Sequence, residues 1–592
     1  MSEKTSINDT LATTEVLWNL DDLYPANLPE QLEQDMTRVV EEAKAIHAMY
    51  YGRIASLTAE EILHLVGRLE ELDCRLGKLA TYGFLNFTTQ VANAEAGTIN
   101  QRIREVISSC NKETVFFELE WNGIAVDQAE ATLANPLLTT YSHYLRSMRR
   151  YLPHQLSETE EGLLLETQPV GRRSWTTLFE KIFGHLKFGP KGRSEEEVLT
   201  DLYHQERATR EAAAAEMTEG LRSQSHILTH IFNTLAADKM ISDRLRHYDT
   251  WVGSMNLDNQ LHDVTVDSLV SAVTSRYDLV QRYYRVKREL LGLDELFDYD
   301  RYAPLPSLPS AKIDWLTSKK IVLQSFAAFS TEMADIAEDF FAKRWIHAPV
   351  LAGKRGGAFA HPCVPHIHPY VMVNYTGSLR DVSTVAHELG HGVHQVLAAR
   401  KGYYNSSTPL VLAETASVFA EMLVFSSQLE LIAEEAERRA FICQKLESIF
   451  ATVFRQTAMN RFEEAMHNGR RSQGELSGET LNEFWLSSQR EMFGEAVTLT
   501  EDYGVWWSYI PHFLNVPGYV YSYAFGELLV LALYKRYQEE GAGFVDKYLT
   551  LLTAGGSETP YELVKPFGID LDSTTFWHQG LEVIEEMVAL IE

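Results

Sequence analysis

The spacing of apolar residues along the chain predicts a mainly helical protein. In Ala59–Leu79 and Leu431–Thr457, apolar residues recur three or four positions apart among charged ones, which is the period of a helix with one buried face. The alternation typical of strands is scarce, and its best candidate is YVMVNY at Tyr370–Tyr375. We therefore expect a mainly α fold with one small β-sheet close to residue 375.

Glycine and proline interrupt the helical pattern at two places. The first is KFGPKGR at Lys187–Arg193, and we place a boundary there between an N-terminal helical lobe, residues 1–190, and a second, larger region, residues 191–592, which contains the candidate zinc ligands described below. A chain of 592 residues exceeds what one compact core usually holds, which also favours two lobes. The second is LAGKRGGA at Leu351–Ala358, which predicts a mobile loop.

Composition narrows the class of partner and the compartment. Lys and Arg number 53 against 82 Asp and Glu, a formal net charge of -29, so nucleic acid and anionic membranes are poor partners. The four cysteines are widely scattered, which favours free thiols in a reducing compartment. The first residues lack the apolar core of a signal peptide, and no uninterrupted apolar run approaches a membrane span. We expect a soluble, cytoplasmic protein.

The segment STVAHELGHGVHQ at Ser383–Gln395 carries a His-Glu-x-x-His pattern. On a helix, His387 and His391 stand one turn apart, so both imidazoles can bind a single zinc ion. Glu388 lies on the flank of the same face, where it can act as general base toward the attacking water. The five-residue pattern also arises by chance, so the rest of the sequence must support it.

Other residues of this predicted helix need separate explanations. Gly390 and Gly392 each cost about 1 kcal/mol relative to alanine in a helix interior. Either another backbone or a substrate approaches closely there, or the helix packs tightly; both interpretations stay open. His394 lies seven residues, about 10.5 Å, beyond His387, too far to share one ion with it.

A second group of candidate ligands precedes the motif. Histidine and cysteine residues are interspersed with prolines in HPCVPHIHP, without a convincing ligand spacing; they are His361, Cys363, His366 and His368. We interpret this group as loop structure and not as a second metal site.

Catalytic zinc usually takes three protein ligands, so a third donor is required. After Thr408-Pro409 the chain reads LVLAETASVFAEMLVF, which is apolar apart from Glu414 and Glu421. A buried carboxylate is costly unless it is paired or metal-bound. We therefore interpret Glu414 as the third ligand and Glu421 as a residue that binds the other ring nitrogen of a ligand histidine. Pairing of either glutamate with an arginine remains the alternative.

The late segment IPHFLNVPGYVYSYAFG, Ile510–Gly526, offers donors for the oxyanion that develops during amide hydrolysis. It contains the imidazole of His512 and the phenols of Tyr519, Tyr521 and Tyr523. Tyr519 and Tyr523 are four residues apart and share a helix face, whereas Tyr521 points elsewhere. Tyrosines in helical proteins more often pack in cores than act in catalysis. The catalytic interpretation of this segment therefore depends on the His-Glu-x-x-His motif elsewhere in the chain.

Together these motifs resemble the oligoendopeptidase F branch of the thimet oligopeptidase family of zinc metallopeptidases. The resemblance rests on HELGHGVH, on ETAS around Glu414, on HFLNVPGYVYSYAFG, and on WNLDDLYP at Trp18–Pro25 near the start. It implies a two-lobed helical zincin-like peptidase with a deep central channel. Such a channel admits short unstructured peptides and excludes folded proteins.

The resemblance also implies roles for individual residues. His387, His391 and Glu414 would bind one zinc ion per chain, with Glu388 as general base. His512, Tyr519 and Tyr523 would be catalytic residues that hold the oxyanion. The strand Tyr370–Tyr375 resembles the family's substrate-aligning edge, and Asn374 and Tyr521 are predicted to bind substrate.

We therefore predict a zinc metalloendopeptidase that cleaves internal bonds of short peptides. A zinc carboxypeptidase or dipeptidase of similar helical fold remains the alternative, because a cation that binds a substrate carboxylate cannot be singled out among 53 Lys and Arg. An aminopeptidase is disfavoured, since a Gly-x-Met-Glu-Asn motif is missing upstream. A peptide-binding scaffold without catalysis is also disfavoured, because every ligand and the base are present. A homo-oligomer stays open.

Overall fold

The computed structural model describes residues 6–25, 28–306 and 312–592. Helices dominate these residues, as the sequence predicts, and strands account for a few residues only. The chain divides into two compact units, each assembled from three separate segments. The division falls within the helix Tyr521–Glu540, between Lys535 and Arg536.

The described residues of the first unit fall within Met1–Leu152, Pro309–Leu431 and Arg536–Ile569. Its core includes Trp18, Leu23 and Tyr24 of the early WNLDDLYP segment. Its α-helices are Ile7–Thr10, Pro29–Tyr50, Ala59–Thr88, Ala94–Thr114, Phe116–Gly123, Val126–Leu133, Ser142–Arg149, Trp315–Phe329, Thr331–Ala342, Leu379–Ala398, Tyr403–Ser406, Leu410–Ala413, Thr415–Leu431, Ala542–Ala554 and Pro560–Val564. Short 3-10 turns lie at Ile54–Ser56, Pro136–Tyr141, Ala399–Lys401 and Lys565–Phe567.

The described residues of the second unit fall within Pro153–Leu308, Ile432–Lys535 and Asp570–Glu592. Aromatic residues are frequent in its core, which includes Trp485, Trp506 and Trp507. Its α-helices are Glu158–Thr167, Arg172–His185, Glu195–Asp201, Arg207–Ser223, Ser225–Leu245, Gly253–Asp258, Asp263–Thr274, Tyr277–Leu290, Glu435–Thr452, Phe454–Gln473, Gly478–Phe493, His512–Asn515 and Thr574–Ala589. Its 3-10 turns are Asp298–Asp300 and Glu501–Tyr509, and another, Leu152–His154, lies at the junction.

The two helical stretches singled out in the sequence show how local signals set element ends. The first helix begins at Ala59 because Thr58 and Glu61 form a capping box. It continues past the predicted Leu79 to Thr88. The second stretch, Leu431–Thr457, is not one helix: a new helix starts at Glu435, where acidic residues favour an N-terminus, and ends at Thr452.

The predicted boundary stretch Lys187–Arg193 lies inside the second unit. Phe188 and Arg193 pair there through a single antiparallel bridge, so the glycines form a local turn. The division into residues 1–190 and 191–592 stays a prediction.

The first unit carries the small β-sheet. Its three strands are β1, Ile346–His347, β2, Phe359–His361, and β3, Tyr370–Met372, in the order β1-β3-β2. β3 pairs in parallel with β1 and antiparallel with β2, with Ala360 opposite Val371. The first half of the predicted strand Tyr370–Tyr375 is thus a strand, β3, and it is the central strand of the sheet. The expectation that it forms an open, substrate-aligning edge is wrong for Val371 and Met372, because both sides of these two residues are already paired.

One stretch, Leu410–Leu431, has the length and apolar composition of a membrane span. Of its most apolar 18-residue window, 67% is buried within the protein, as expected of a core helix. It also contains Glu414 and Glu421, which interrupt the apolar run.

All four cysteines are free thiols, in agreement with the sequence-based expectation.

Candidate metal centre

The helix Leu379–Ala398 carries the His-Glu-x-x-His pattern and starts at a strong N-cap. The Ser378 hydroxyl accepts a hydrogen bond from the Asp381 N–H, and the Asp381 carboxylate accepts one from the Ser378 N–H. The same carboxylate also accepts from the N–H and hydroxyl of Thr376. The helix is followed by one 3-10 turn and by Gly402, whose φ of 88° ends it.

This helix buries its apolar stripe and leaves the two motif histidines half-buried on another face. Val382, Val385, Leu389 and Val393 are all almost fully buried. His387 and His391 stand one turn apart, with their ring centroids 4.8 Å from each other. The period of the sequence thus places both imidazoles on one side of the helix.

The neighbouring helix Thr415–Leu431 lies very close to the motif helix at Gly390. A Cβ atom at position 390 would lie 2.6 Å from the Ala416 carbonyl oxygen and 2.7 Å from the Ser417 Cα. Glycine is therefore required there by another backbone, one of the explanations left open by the sequence. At Gly392 a Cβ would meet the ring of Phe340 at 2.6 Å, so side-chain packing explains the second glycine.

This close approach brings Glu414 to the two histidines. Glu414 lies at the junction between the short helix Leu410–Ala413 and the helix Thr415–Leu431. Its Oε2 is 3.4 Å from Nε2 of His387 and 3.4 Å from Nε2 of His391. Ligand atoms about 2.0–2.1 Å from a tetrahedral zinc ion lie about 3.3 Å apart, so the spacing fits a metal ion.

Glu421 lies behind the candidate ligand His387. Its Oε1 is 2.6 Å from Nδ1 of His387. A carboxylate at Nδ1 stabilises the tautomer whose Nε2 lone pair is free to bind a metal. Glu421 thus contacts the second ring nitrogen of His387, as expected from the sequence, and its role in metal binding stays a prediction.

The charges of the cluster also fit a divalent cation. Burial lowers the pKa of His387, but the hydrogen bond to Glu421 and the surrounding carboxylates outweigh it and raise that pKa to about 9. Burial raises the pKa of Glu414, yet the two histidines and Ser417 bring it down to about 2. With Glu388 included, three carboxylates surround two imidazoles, an excess of negative charge that a divalent cation would offset.

Glu388 is buried next to this trio, with 6% of its surface exposed. Burial raises its pKa, and the two histidines oppose that shift. The Ala360 N–H of strand β2 also stabilises its ionised form. A carboxyl group with a raised pKa can both accept and return a proton near neutral pH. The sequence offered no signal for the part played by Ala360, because the three residues of β2 are too short for a recognisable pattern.

The remaining histidines of the region do not join the trio. His394 is buried, its Nε2 lies 3.4 Å from the Thr408 hydroxyl, and burial followed by the charge of His391 lowers its pKa to about 4. His361 stacks on Phe84, and His368 stacks on Trp345. Across the described ranges, His387, His391 and Glu414 form the single group of three or more residues whose ligand atoms could share an ion.

Asn374 holds the glycine-rich segment that follows β1. Its side-chain amide donates hydrogen bonds to the Arg355 and Gly357 carbonyls, at 3.0 and 2.8 Å. The Lys354 ammonium donates to three further carbonyl groups, including that of Val373 at 2.7 Å. The segment Leu351–Ala358, predicted to be mobile, is thus tied to the sheet at several points. The predicted contact of Asn374 with substrate stays a prediction.

The predicted oxyanion residues lie in the second unit, where they form a cluster of their own. The rings of Tyr519 and Tyr523 are 4.9 Å apart, and the His512 ring is 6.3 Å from each. All three side chains are half-buried. Burial, and then the charge of Arg455, lowers the pKa of His512, so the imidazole is neutral at pH 7.

Tyr521 differs from its neighbours. It is completely buried, and its hydroxyl accepts a hydrogen bond from the Asn259 amide at 2.9 Å. Such a side chain has no surface left for a substrate. We therefore assign it to the core and do not carry its predicted substrate contact further.

Comparison with known proteins identifies the family. A profile described as "Peptidase family M3" matches residues 201–583, and one described as "Oligopeptidase F" matches residues 120–188. The chain belongs to peptidase family M3. It is therefore a peptidase, and the His-His-Glu trio lies within the part of the chain that the family profile covers.

Relatives along the whole chain agree with this assignment. The protein is 26% identical to oligopeptidase PepF of Bacillus subtilis, over 100% of this chain and 90% of that protein. It is 24% identical to an oligoendopeptidase F homolog of Lactococcus lactis, over 98% and 97% of the two chains. The crystal structure of oligoendopeptidase-F from Enterococcus faecium shares its fold, with a TM-score of 0.71, 21% identity, and coverage of 95% and 99%.

Proposed function

We propose that this family M3 peptidase is a zinc-dependent oligoendopeptidase that hydrolyses internal bonds of short, unstructured peptides. The observation that carries the proposal is the spacing of the trio. The Glu414 carboxylate lies 3.4 Å from a nitrogen of each histidine, next to the buried Glu388. The names of the curated relatives, oligopeptidase and oligoendopeptidase, support internal cleavage over the carboxypeptidase or dipeptidase alternative.

Zinc suits the donor set better than calcium or magnesium. The two imidazole nitrogens are borderline donors that zinc binds well together with a carboxylate, whereas calcium and magnesium prefer oxygen donors alone. Three protein ligands also leave one position open for the reaction. When bound there, zinc would acidify water and polarise the scissile carbonyl.

The protein's own groups then move the protons. Glu388 removes a proton from the attacking water as the water oxygen bonds to the carbonyl carbon. The same carboxyl group returns that proton to the leaving nitrogen when the carbon–nitrogen bond breaks. Its burial supports both steps, because a raised pKa brings the proton affinity of Glu388 closer to neutral pH.

His512, Tyr519 and Tyr523 are proposed to donate hydrogen bonds to the developing oxyanion. Their clustering within the second unit and their half-buried side chains support this role. The lowered pKa of His512 leaves a neutral ring that still carries one N–H donor.

The proposed substrates are short peptides, and the proposed location is the cytoplasm. Four free cysteines support a reducing compartment. The net charge of -29 argues against nucleic acid as a partner.

The decisive assay digests two versions of one peptide, with free ends and with both ends blocked, and analyses the products by mass spectrometry. We expect internal cleavage of both versions, and loss of both activities when a chelator removes the metal. Removal of terminal residues from the free peptide, with no cleavage of the blocked one, would favour an end-trimming enzyme. Retention of full activity without metal would refute the metal centre.

A further inference from the structure

A buried glutamate supports the turn that precedes Tyr519. Glu463 lies on the helix Phe454–Gln473 and is completely buried. Its Oε1 accepts a hydrogen bond from the Gly518 N–H at 2.8 Å. Gly518 has a φ of 80°, a conformation that favours glycine, and Tyr519 is the next residue.

The burial of Glu463 is costly and therefore needs a reason. A carboxyl group in an apolar environment loses hydration that one hydrogen bond replaces only in part. Burial raises its pKa to about 8, against the opposing effects of the Gly518 N–H and the charge of Lys239. At neutral pH the Glu463 carboxyl group is therefore protonated and uncharged. Its Oε1 accepts the hydrogen bond from the Gly518 N–H.

The chain between His512 and Tyr519 is held at a second point. The Arg172 guanidinium donates to the Leu514 carbonyl at 2.6 Å and forms an ion pair with Asp238 at 3.2 Å. With both ends of the segment attached to helices of the second unit, its shape is fixed by side chains distant in sequence. The orientation of the Tyr519 ring follows from that shape.

The surroundings of the turn leave little freedom for it to shift. A Cβ on Gly518 would lie 3.2 Å from a methyl group of Val252, and the adjacent Trp251 stacks on His467 at 5.1 Å. His467 lies one helical turn after Glu463 on the same helix. The glutamate, the histidine and the tryptophan thus form one packed support beneath the turn.

We propose that Glu463 is a positioning residue, which holds the Gly518 N–H so that the Tyr519 hydroxyl is correctly placed for catalysis. The inference rests on the proposed function, in which Tyr519 donates to the oxyanion. Glu463 itself does not touch substrate. A displacement of about 1 Å at a catalytic group can cost up to about 100-fold in rate, so the loss of a hydrogen bond at the preceding residue, Gly518, is measurable.

The test compares two substitutions at one position. Glu463→Gln keeps an oxygen acceptor for the Gly518 N–H and should hold kcat within about threefold of wild type. Glu463→Leu removes the acceptor and should lower kcat by about tenfold or more with little change in KM. Thermal unfolding of both variants, measured in parallel, separates a loss of kcat from the loss of stability that an unpaired Gly518 N–H causes. Glu464→Leu, at a half-buried position on the same helix, is the matched control and should leave kcat unchanged.

A double-mutant cycle with Tyr519→Phe separates positioning from general damage to the fold. If Glu463 acts through the Tyr519 hydroxyl, Glu463→Leu should cost less than about twofold in kcat once that hydroxyl is gone. An equal loss in both backgrounds would overturn the proposal, as would a wild-type kcat in Glu463→Leu. If Tyr519→Phe alone leaves kcat unchanged while Glu463→Leu lowers it, positioning through Tyr519 is refuted. In that case the metal-dependent peptidase function still stands.

Discussion

Gly390→Ala tests how closely the two ligand-bearing helices must approach. The new Cβ would lie 2.7 Å from the Ser417 Cα, where an ordinary contact requires at least 3.4 Å, so the helices must separate by about 0.7 Å. Metal ligands tolerate deviations of only about 0.2 Å. Glu414, two residues before Ala416 on the displaced chain, would move away from His387 and His391.

The substitution should affect metal binding more than stability. Overpacking costs about 1–3 kcal/mol, whereas alanine gains about 1 kcal/mol over glycine in a helix, so the net loss is at most about 2 kcal/mol. We expect the folded variant to bind zinc about tenfold more weakly or worse, because its third ligand is displaced. A titration against a chelating dye, with thermal unfolding measured in parallel, gives both quantities.

Gly392→Ala is the matched control, two residues further along the same helix. The three atoms nearest to its Cβ all belong to the Phe340 ring, and none belongs to the segment that carries Glu414. Metal affinity should therefore stay near wild type in this variant. Wild-type zinc affinity in folded Gly390→Ala would refute the argument that helix proximity sets the ligand geometry.

Further predictions concern individual carboxyl groups. Glu388→Gln should abolish turnover while the protein keeps one metal ion, as measured by elemental analysis, since the substitution removes the base and no ligand. Glu414→Ala should lose the ion in the same analysis. Glu421→Ala should weaken metal binding by about 10–100-fold in a chelator titration, because His387 loses the carboxylate at Nδ1. Glu463 has a pKa raised from 4.5 to about 8, so its contribution to stability is fully present below pH 4.5 and is lost as pH rises through 8. The free energy of unfolding of Glu463→Gln relative to wild type should therefore increase by about 1.4 kcal/mol per pH unit between pH 5 and 8, and a pH-independent difference in denaturant unfolding would contradict this.

The sequence carried most of the information about the metal centre because local spacing determines it. On any helix, His387 and His391 face the same way, and carboxylates in an apolar run such as Glu414 and Glu421 require partners. The sequence does not predict that Gly390 contacts the backbone of Ala416. A glycine in a helix does not indicate whether a backbone, a side chain or a substrate lies next to it. Only the structure distinguishes it from Gly392, which packs on a ring.

Long-range pairing accounts for the parts that sequence reasoning missed. The central position of β3 depends on partners 9 to 25 residues away, and a single strand pattern does not distinguish centre from edge. The hydrogen bond from Gly518 to Glu463 joins residues 55 positions apart. Likewise, the burial of Tyr521 against Asn259, across 262 positions, has no local signature.

X-ray absorption at the zinc edge of the purified, metal-loaded protein tests the central claim most directly. We predict one zinc ion per chain, with two imidazole nitrogens and one carboxylate oxygen among its ligands at about 2.0–2.1 Å. His391→Ala should lower the amount of bound zinc, as Glu414→Ala does, and should halve the imidazole signal of the zinc that remains bound. A spectrum without imidazole scattering, or one that His391→Ala leaves unchanged, would contradict a centre built from His387, His391 and Glu414.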